Sequence, residues 1–241
     1  MIPLPTEDPQ ILFQDDDLIV LFKPSRMYVH PPEDRIARKT VGRHTCIHWL
    51  YDTHKILANP IHRLDFSTEG LLLFGKNNPT NSLLNIQMRQ HQIQKYYDAV
   101  VRGWLKESFG EINLPLESKK SADEMLECRT LYSTLSKIEL PVSVNSKFLT
   151  SRYSLLDIEL KTGRWHQIRR HMNRVAHPIL GDREHGDSHH NRNFRDNLGI
   201  DGLCLKAKRL EFYHPHTDQK MVFHAPVSPM WEKIQKLFES K

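Results

Sequence analysis

The chain has 241 residues, 39% hydrophobic and 26% charged, which is enough for a sizeable core and ordinary for a globular protein in water. Against 29 Asp and Glu it carries 34 Lys and Arg, with 15 His, for a formal net charge of +5 that tilts toward a polyanionic partner without identifying one. No apolar run approaches the ~20 residues of a membrane span and no basic-then-apolar leader opens the chain, while Cys46, Cys128 and Cys204 form neither a CxxC zinc pair nor an even disulfide set, so reduced thiols, a cytoplasmic setting and no membrane contact are expected.

In chain order, the Pro- and Asp-rich start to Asp17 carries no clear element. Asp17 to Pro24 reads as a short strand stopped by its proline, which cannot continue a central ladder. A loop to Pro32 and a His- and Arg-rich segment to Asn59 follow, with a helix around Trp49 and Leu50. Next comes His62-Arg63-Leu64-Asp65-Phe66-Ser67-Thr68-Glu69, and then an apolar run between Gly70 and Gly75. Such a run reads as a buried central strand, so Asp65 is placed on a loop at its mouth. A carboxylate directed by a neighbouring Arg suits a nucleophile or a general base. The plain alternative is a turn cap beside a solvated Arg.

Pro79 to Ser82 supplies helix-start signals, and Leu83, Leu84, Ile86 and Met88 have helical spacing. Lys95 to Arg102 is a strand closed by Gly103, on which Tyr97, Ala99 and Val101 share a face. Residues 105 to 150 are the least readable, with a charged loop over 117–127 and a connection over 141–145. Ser154 to Leu160 alternates as a half-buried strand. After Thr162-Gly163 a helix is expected, with Trp165, Ile168, Met172 and Val175 as its apolar stripe. Projection at 100° per residue sets Arg169 at the stripe's edge, where it can reach a partly buried carboxylate, and Gln167, Arg170 and Arg174 on the opposite face. Gly181 to Asp201 reads as a long polar loop carrying Arg183, His185, Arg192 and Arg195. A hairpin (210–213 with 221–223) and a closing helix from Ser228-Pro229, with Trp231, Ile234 and Phe238 inward, end the chain. Strands outnumber helices in hairpin-like order, which predicts an α+β fold with a mixed, largely antiparallel sheet and flanking helices, as a single domain over 1–241.

Four segments carry a resemblance to a known family: Lys23-Pro24-Ser25 with Val29-His30; His62-Arg63-Leu64-Asp65 with Thr68 and Gly70; Lys95 to Gly103 with Tyr97, Ala99 and Val101; and Thr162-Gly163-Arg164-x-His166-Gln167-Ile168-Arg169-x-His171. Each is weak alone, but the four in this order resemble the RluA-type pseudouridine synthases. The ending Phe212-x-His214-Pro215 and Ala225-Pro226 matches as well. The resemblance implies the pseudouridine synthase catalytic fold, without a separate N-terminal RNA-binding domain. It implies an isomerase that detaches uracil from ribose, turns it and rejoins it through C5, with no cofactor. Asp65 would be the essential carboxylate, Arg169 its pairing partner, and Tyr97 the ring that stacks on the base and removes the C5 proton. Arg63 would fill the stack vacated by the flipped base, with His62 orienting. Arg164, His166, Gln167, Arg170, Arg174, Arg183, His185, Arg192 and Arg195 would meet the RNA.

Within the family, His91-Gln92-Ile93-Gln94-Lys95, Val101-Arg102-Gly103-Trp104, His185-Gly186-Asp187 and Asn191-Arg192 resemble a branch acting on uridine 65 of tRNA. The expected partner is therefore tRNA, with no obligatory protein partner and a monomer. Glu69 stands where the family usually has Ser, Arg26 where it has Gly, and Lys206 where it has His. Rival readings are a ribosomal RNA substrate, a non-catalytic RNA-binding module, and a metal-dependent RNA hydrolase. The last lacks a carboxylate cluster for magnesium. His185, His189 and His190 raise a metal site, but no Cys accompanies them and no metal is expected.

Overall fold

The computed structural model describes residues 7–121, 123–144 and 148–239. In chain order its elements begin with β1 (Gln10–Gln14), β2 (Leu18–Lys23), α1 (Arg35–Val41), α2 (Cys46–His54), β3 (Asn59–Pro60), β4 (Glu69–Gly75) and α3 (Asn78–Arg89). There follow β5 (Gln94–Arg102), β6 (Phe109–Ile112), β7 (Leu116–Glu117), β8 (Met125–Leu126), β9 (Thr130–Leu140) and β10 (Ser151–Leu160). Last come α4 (Gln167–Arg174), α5 (Ser188–Leu198), β11 (Leu205–Tyr213), β12 (Lys220–His224) and α6 (Pro229–Glu239). The class is α+β, and the strand pairs with a resolved register are antiparallel.

The chain forms two compact units. The first is Met1–Gln94 with Ala207–Pro226. Its sheet runs β1-β2-β4-β11, with β12 beside β11 and β3 beside β4. Every residue of β2 and β4 is buried, as the apolar runs predict for central strands. Leu18, Val20, Leu71, Leu73, Leu210 and Phe212 form one side's core with Leu84 of α3. The expected α3 stripe is half right. Leu84 is buried and Met88 packs on the core, whereas Leu83 and Ile86 are exposed. The helix starts earlier than the Pro79 signal because Asn77 caps it, accepting the Thr80 N–H at 2.9 Å. β1, in the stretch without a predicted element, pairs with β2 through a register shift at Leu12.

The second unit is Lys95–Lys206 with Val227–Lys241, built on the antiparallel order β5-β10-β9-β6. α6 buries Trp231, Ile234 and Phe238, as predicted. The 105–150 segment, left unread, contributes the eleven-residue strand β9. One expectation is corrected: the supposed loop 181–201 contains α5, capped by Asp187 through the His189 and His190 N–H groups. α5 was missed because its buried side comes from His190, Asn193 and Phe194, which give little apolar periodicity. Position 145 of the expected 141–145 connection lies outside the described residues.

Candidate active site

In the first unit, Asp65 stands half-buried on the loop before β4, its carbonyl accepting the Thr68 N–H at 3.1 Å to close a turn. A second loop braces this one. The Phe66 carbonyl accepts from the Met27 N–H (3.2 Å) and from Lys23 Nζ (3.3 Å), and the Ser67 carbonyl accepts from Ser25 Oγ (2.9 Å). Lys23 is completely buried, and its Nζ also donates to the carbonyls of Pro24 and Met27, each at 2.9 Å. Burial pulls its pKa down to about 8, against the opposing pull of Cys46, Asp65 and Glu69. Glu69, at 4% exposure, therefore adds its charge beside a buried cation. Proline after Lys23 ends the strand, which lets the ammonium fold back onto carbonyls. The motif Lys23-Pro24-Ser25 was visible in the sequence, but its bracing of the Asp65 loop was not. Arg26 takes φ +62, a left-handed conformation that Gly adopts without cost.

Arg63 is exposed on the same loop. His62 turns to the scaffold, where its Nε2 accepts the Leu73 N–H at 3.3 Å while Ile61 N–H reaches the Leu73 carbonyl at 2.8 Å. This bond ties the loop to β4.

In the second unit, Tyr97 lies on β5 opposite Ile158 of β10, 4% exposed, with Ala99 and Val101 fully buried along the same face. Arg169 of α4 is 5% exposed. Its Nε and Nη2 grip the two oxygens of Asp182 at 2.7 and 2.8 Å, and Nη2 also reaches Glu184 at 3.1 Å. Asp182 accepts further from the N–H groups of Glu184 (2.9 Å) and His185 (3.0 Å). Burial alone would raise the Asp182 pKa, but Arg169 and these N–H groups outweigh it and hold the carboxyl below its ordinary value. The helical projection gave Arg169 only reach to a partly buried carboxylate, which the resemblance named as Asp65. It did not identify Asp182, which is carried beside β5 by the Leu180 N–H to Val100 carbonyl bond at 2.9 Å.

The face expected to meet phosphates is corrected in part. Gln167 is 3% exposed and is spent inside the protein, on Thr162 Oγ1, the Arg164 N–H, the Arg129 carbonyl and Thr130 Oγ1. Projection failed because α4 begins at Gln167, so its first turn is set by loop contacts, and Trp165, outside the helix, is 38% exposed. Arg170 and Arg174 both engage Glu117. Arg164 is exposed, with Nε 3.4 Å from the Glu127 carbonyl. Arg183 and Arg192 are exposed, and Arg195 pairs with Asp196 at 2.7 Å.

His166, in a left-handed conformation (φ +50), stacks on Trp165 with ring centroids 4.2 Å apart, and its Nδ1 lies 3.0 Å from His185 Nε2. Burial first, then the nearby Arg169 charge, lowers the His166 pKa to about 4. With Glu184 these rings make a possible ligand trio. The two nitrogens already bond each other and the Arg169 guanidinium holds Glu184, so the trio is committed to a resident cation. His190 instead bonds the buried Tyr153 hydroxyl at 3.0 Å. A second trio, Asp15, Asp17 and His214, is a latch. His214 Nδ1 accepts the N–H groups of His216 and Thr217, which leaves Nε2 to donate to Asp15 at 3.0 Å. Lys206 is 3% exposed, 3.9 Å from the Asp98 carboxylate and 4.7 Å from the Trp231 ring centroid.

The first unit thus offers a half-buried carboxylate on a braced loop; the second offers a buried phenol and an arginine cluster around α4. Comparison with known proteins gives these groups a context. The family described as RNA pseudouridylate synthase matches residues 17–174, a stretch that runs through both units. A protein of Haemophilus ducreyi called tRNA pseudouridine synthase C is 39% identical over 236 residues, covering 95% of each chain. One of the same name from Vibrio vulnificus is 37% identical over 242 residues, again 95% of each, and one from Pasteurella multocida is 39% identical over 242 residues, 95% of this chain and 96% of that one. Among solved structures, human RNA Pseudouridylate Synthase Domain Containing 1 has a TM-score of 0.71 at 18% identity, covering 100% of this chain and 98% of that one, a likeness of fold. With the motif order, the family match and relatives of this identity in agreement, the chain belongs to the RluA-type RNA pseudouridylate synthase family.

Proposed function

We propose that this protein isomerises uridine to pseudouridine in tRNA, at position 65, with Asp65 as its essential carboxylate. The observation that carries the substrate is the identity with proteins named tRNA pseudouridine synthase C along 95% of the chain. Asp65 attacks C1′ of the ribose or removes a proton at C2′; either step frees the uracil, which turns and is rejoined through C5. The brace from Lys23, Ser25 and Met27 supports this role, since a reacting carboxylate must be held still. Arg169 supplies positive charge to the same reaction. Tyr97, on an apolar strand face, stacks on the base and takes the C5 proton. Arg63, exposed beside Asp65, fills the space left by the extruded nucleotide.

The setting is the cytoplasm, with the protein a monomer and without a cofactor. Supporting the compartment, Cys46, Cys128 and Cys204 are buried free thiols, and among the described residues no helix is long and apolar enough to cross a membrane. The test is tritium release from tRNA labelled at uracil C5, with wild type and Asp65→Asn side by side. Wild type should release tritium and Asp65→Asn should not, while still binding tRNA. Tyr97→Phe should also lose turnover and keep binding. An active Asp65→Asn would sink the mechanism; release from ribosomal RNA alone would move the substrate and leave the chemistry. Chelator should leave the rate unchanged.

A further inference from the structure

Residues 113–121 and 123–128, which include β7 and β8, form a strap against α4. Three side chains of the helix hold its main chain: His171 Nε2 lies 2.9 Å from the Leu114 carbonyl, Arg174 Nη1 donates to Pro115 (2.7 Å), and Arg170 Nη1 donates to the Glu117 carbonyl (3.0 Å). Leu116 of the strap is fully buried. The strap is therefore anchored without the Glu117 side chain. Yet that carboxylate bridges the remaining arms of both arginines, accepting from Arg174 Nη2 at 2.6 Å and from Arg170 Nη2. Two guanidiniums one helical turn apart, converging on two oxygens of one anion, are equally suited to a phosphodiester.

We propose that Arg170 and Arg174 form a phosphate-binding fork that Glu117 occupies in the free protein, and that a backbone phosphate of the RNA substrate replaces the carboxylate. The inference rests on the RNA substrate argued above and adds a residue that governs which RNA is accepted. Glu117 and Arg174 are 38% and 35% exposed, so an incoming phosphate can reach the fork. The Arg174–Glu117 pair is partly exposed and such pairs contribute little net stability, whereas Arg170, at 11% exposure, needs an anion in place of Glu117, which a well-placed phosphate supplies. An RNA that presents no phosphate at this position must compete with a tethered carboxylate, and weak unspecific binding is suppressed.

The test is filter binding across a salt series, using the tRNA transcript and an unrelated RNA of the same length. Glu117→Gln should bind the unrelated RNA about three- to tenfold more tightly, and its plot of log affinity against log salt should steepen by about one. Arg170→Gln and Arg174→Gln, each made in the wild-type background, should weaken tRNA binding and make that slope shallower. These arms also decide the matter if Glu117→Gln does not fold. Unchanged affinity and slope for the three variants, with only thermal melting lowered, would make the cluster a structural brace and overturn the proposal. If wild type itself neither binds RNA nor releases tritium, the RNA reading fails instead.

Discussion

Arg169 shows how a single side chain is committed by its surroundings. A guanidinium at 5% exposure needs a carboxylate, and Asp182, itself 2% exposed, meets it with two oxygens. Removing one member of such a pair leaves an uncompensated buried charge, so Asp182→Ala should cost about 3–5 kcal/mol in urea unfolding. Misplacement of Arg169 should lower tritium release by on the order of 100-fold. Glu184, 58% exposed, is the control: Glu184→Gln should cost under about 1 kcal/mol. Wild-type stability in Asp182→Ala would refute this reading. The sequence showed that Arg169 sits at a stripe edge and so has a carboxylate within reach. The resemblance named Asp65 as its partner; Asp182 was not read, because it lies past a turn whose course depends on bonds to β5.

At the scale of elements, β4 depends on its first glycine. Gly70 adopts φ +129, and a Cβ there would lie 2.3 Å from the Ala207 carbonyl oxygen and 2.6 Å from its nitrogen. Neither backbone atom can yield without shifting β11. Gly70→Ala should therefore destabilise by about 3 kcal/mol, read as a lower urea midpoint at unchanged m-value. An unchanged midpoint would show that the strands accommodate the methyl. β2 and β4 were legible as unbroken apolar runs, and β5, β10 and α6 because their apolar residues follow the period of the element they form. β9 and α5 were not. β9 alternates poorly, with Leu135 exposed at 54% where the register with β10 shifts, and α5 is buried through polar side chains.

For the molecule as a whole, acid stability follows from its buried imidazoles. Burial lowers the pKa of His166, His171, His185 and His190, His166 to about 4. Between the ordinary value of 6.5 and about 4, the unfolded chain binds protons that the folded chain refuses. Stability must then fall as pH drops through that window. Asp182 acts in the same direction but lower, because its depressed carboxyl loses its contribution only as pH falls below the ordinary 3.8. Urea midpoints measured from pH 7 downward should decline through the histidine window, and His166→Asn should flatten part of the decline. A flat profile above pH 4 in the wild type would show that these rings protonate without unfolding.

What the sequence determined by itself was the class of the fold, the strand that presents Asp65, and the motif order that points to the family, all of them local patterns or spacings. Tertiary structure decided what each charged group is paired with. Lys23 braces a loop more than forty residues away, Asp182 takes Arg169, and Glu117 sits on Arg170 and Arg174 from a strap that sequence could not place. The reason is physical. Apolar periodicity is written along the chain, whereas the partner of a buried charge is set by which segments the folded backbone brings within a few ångströms.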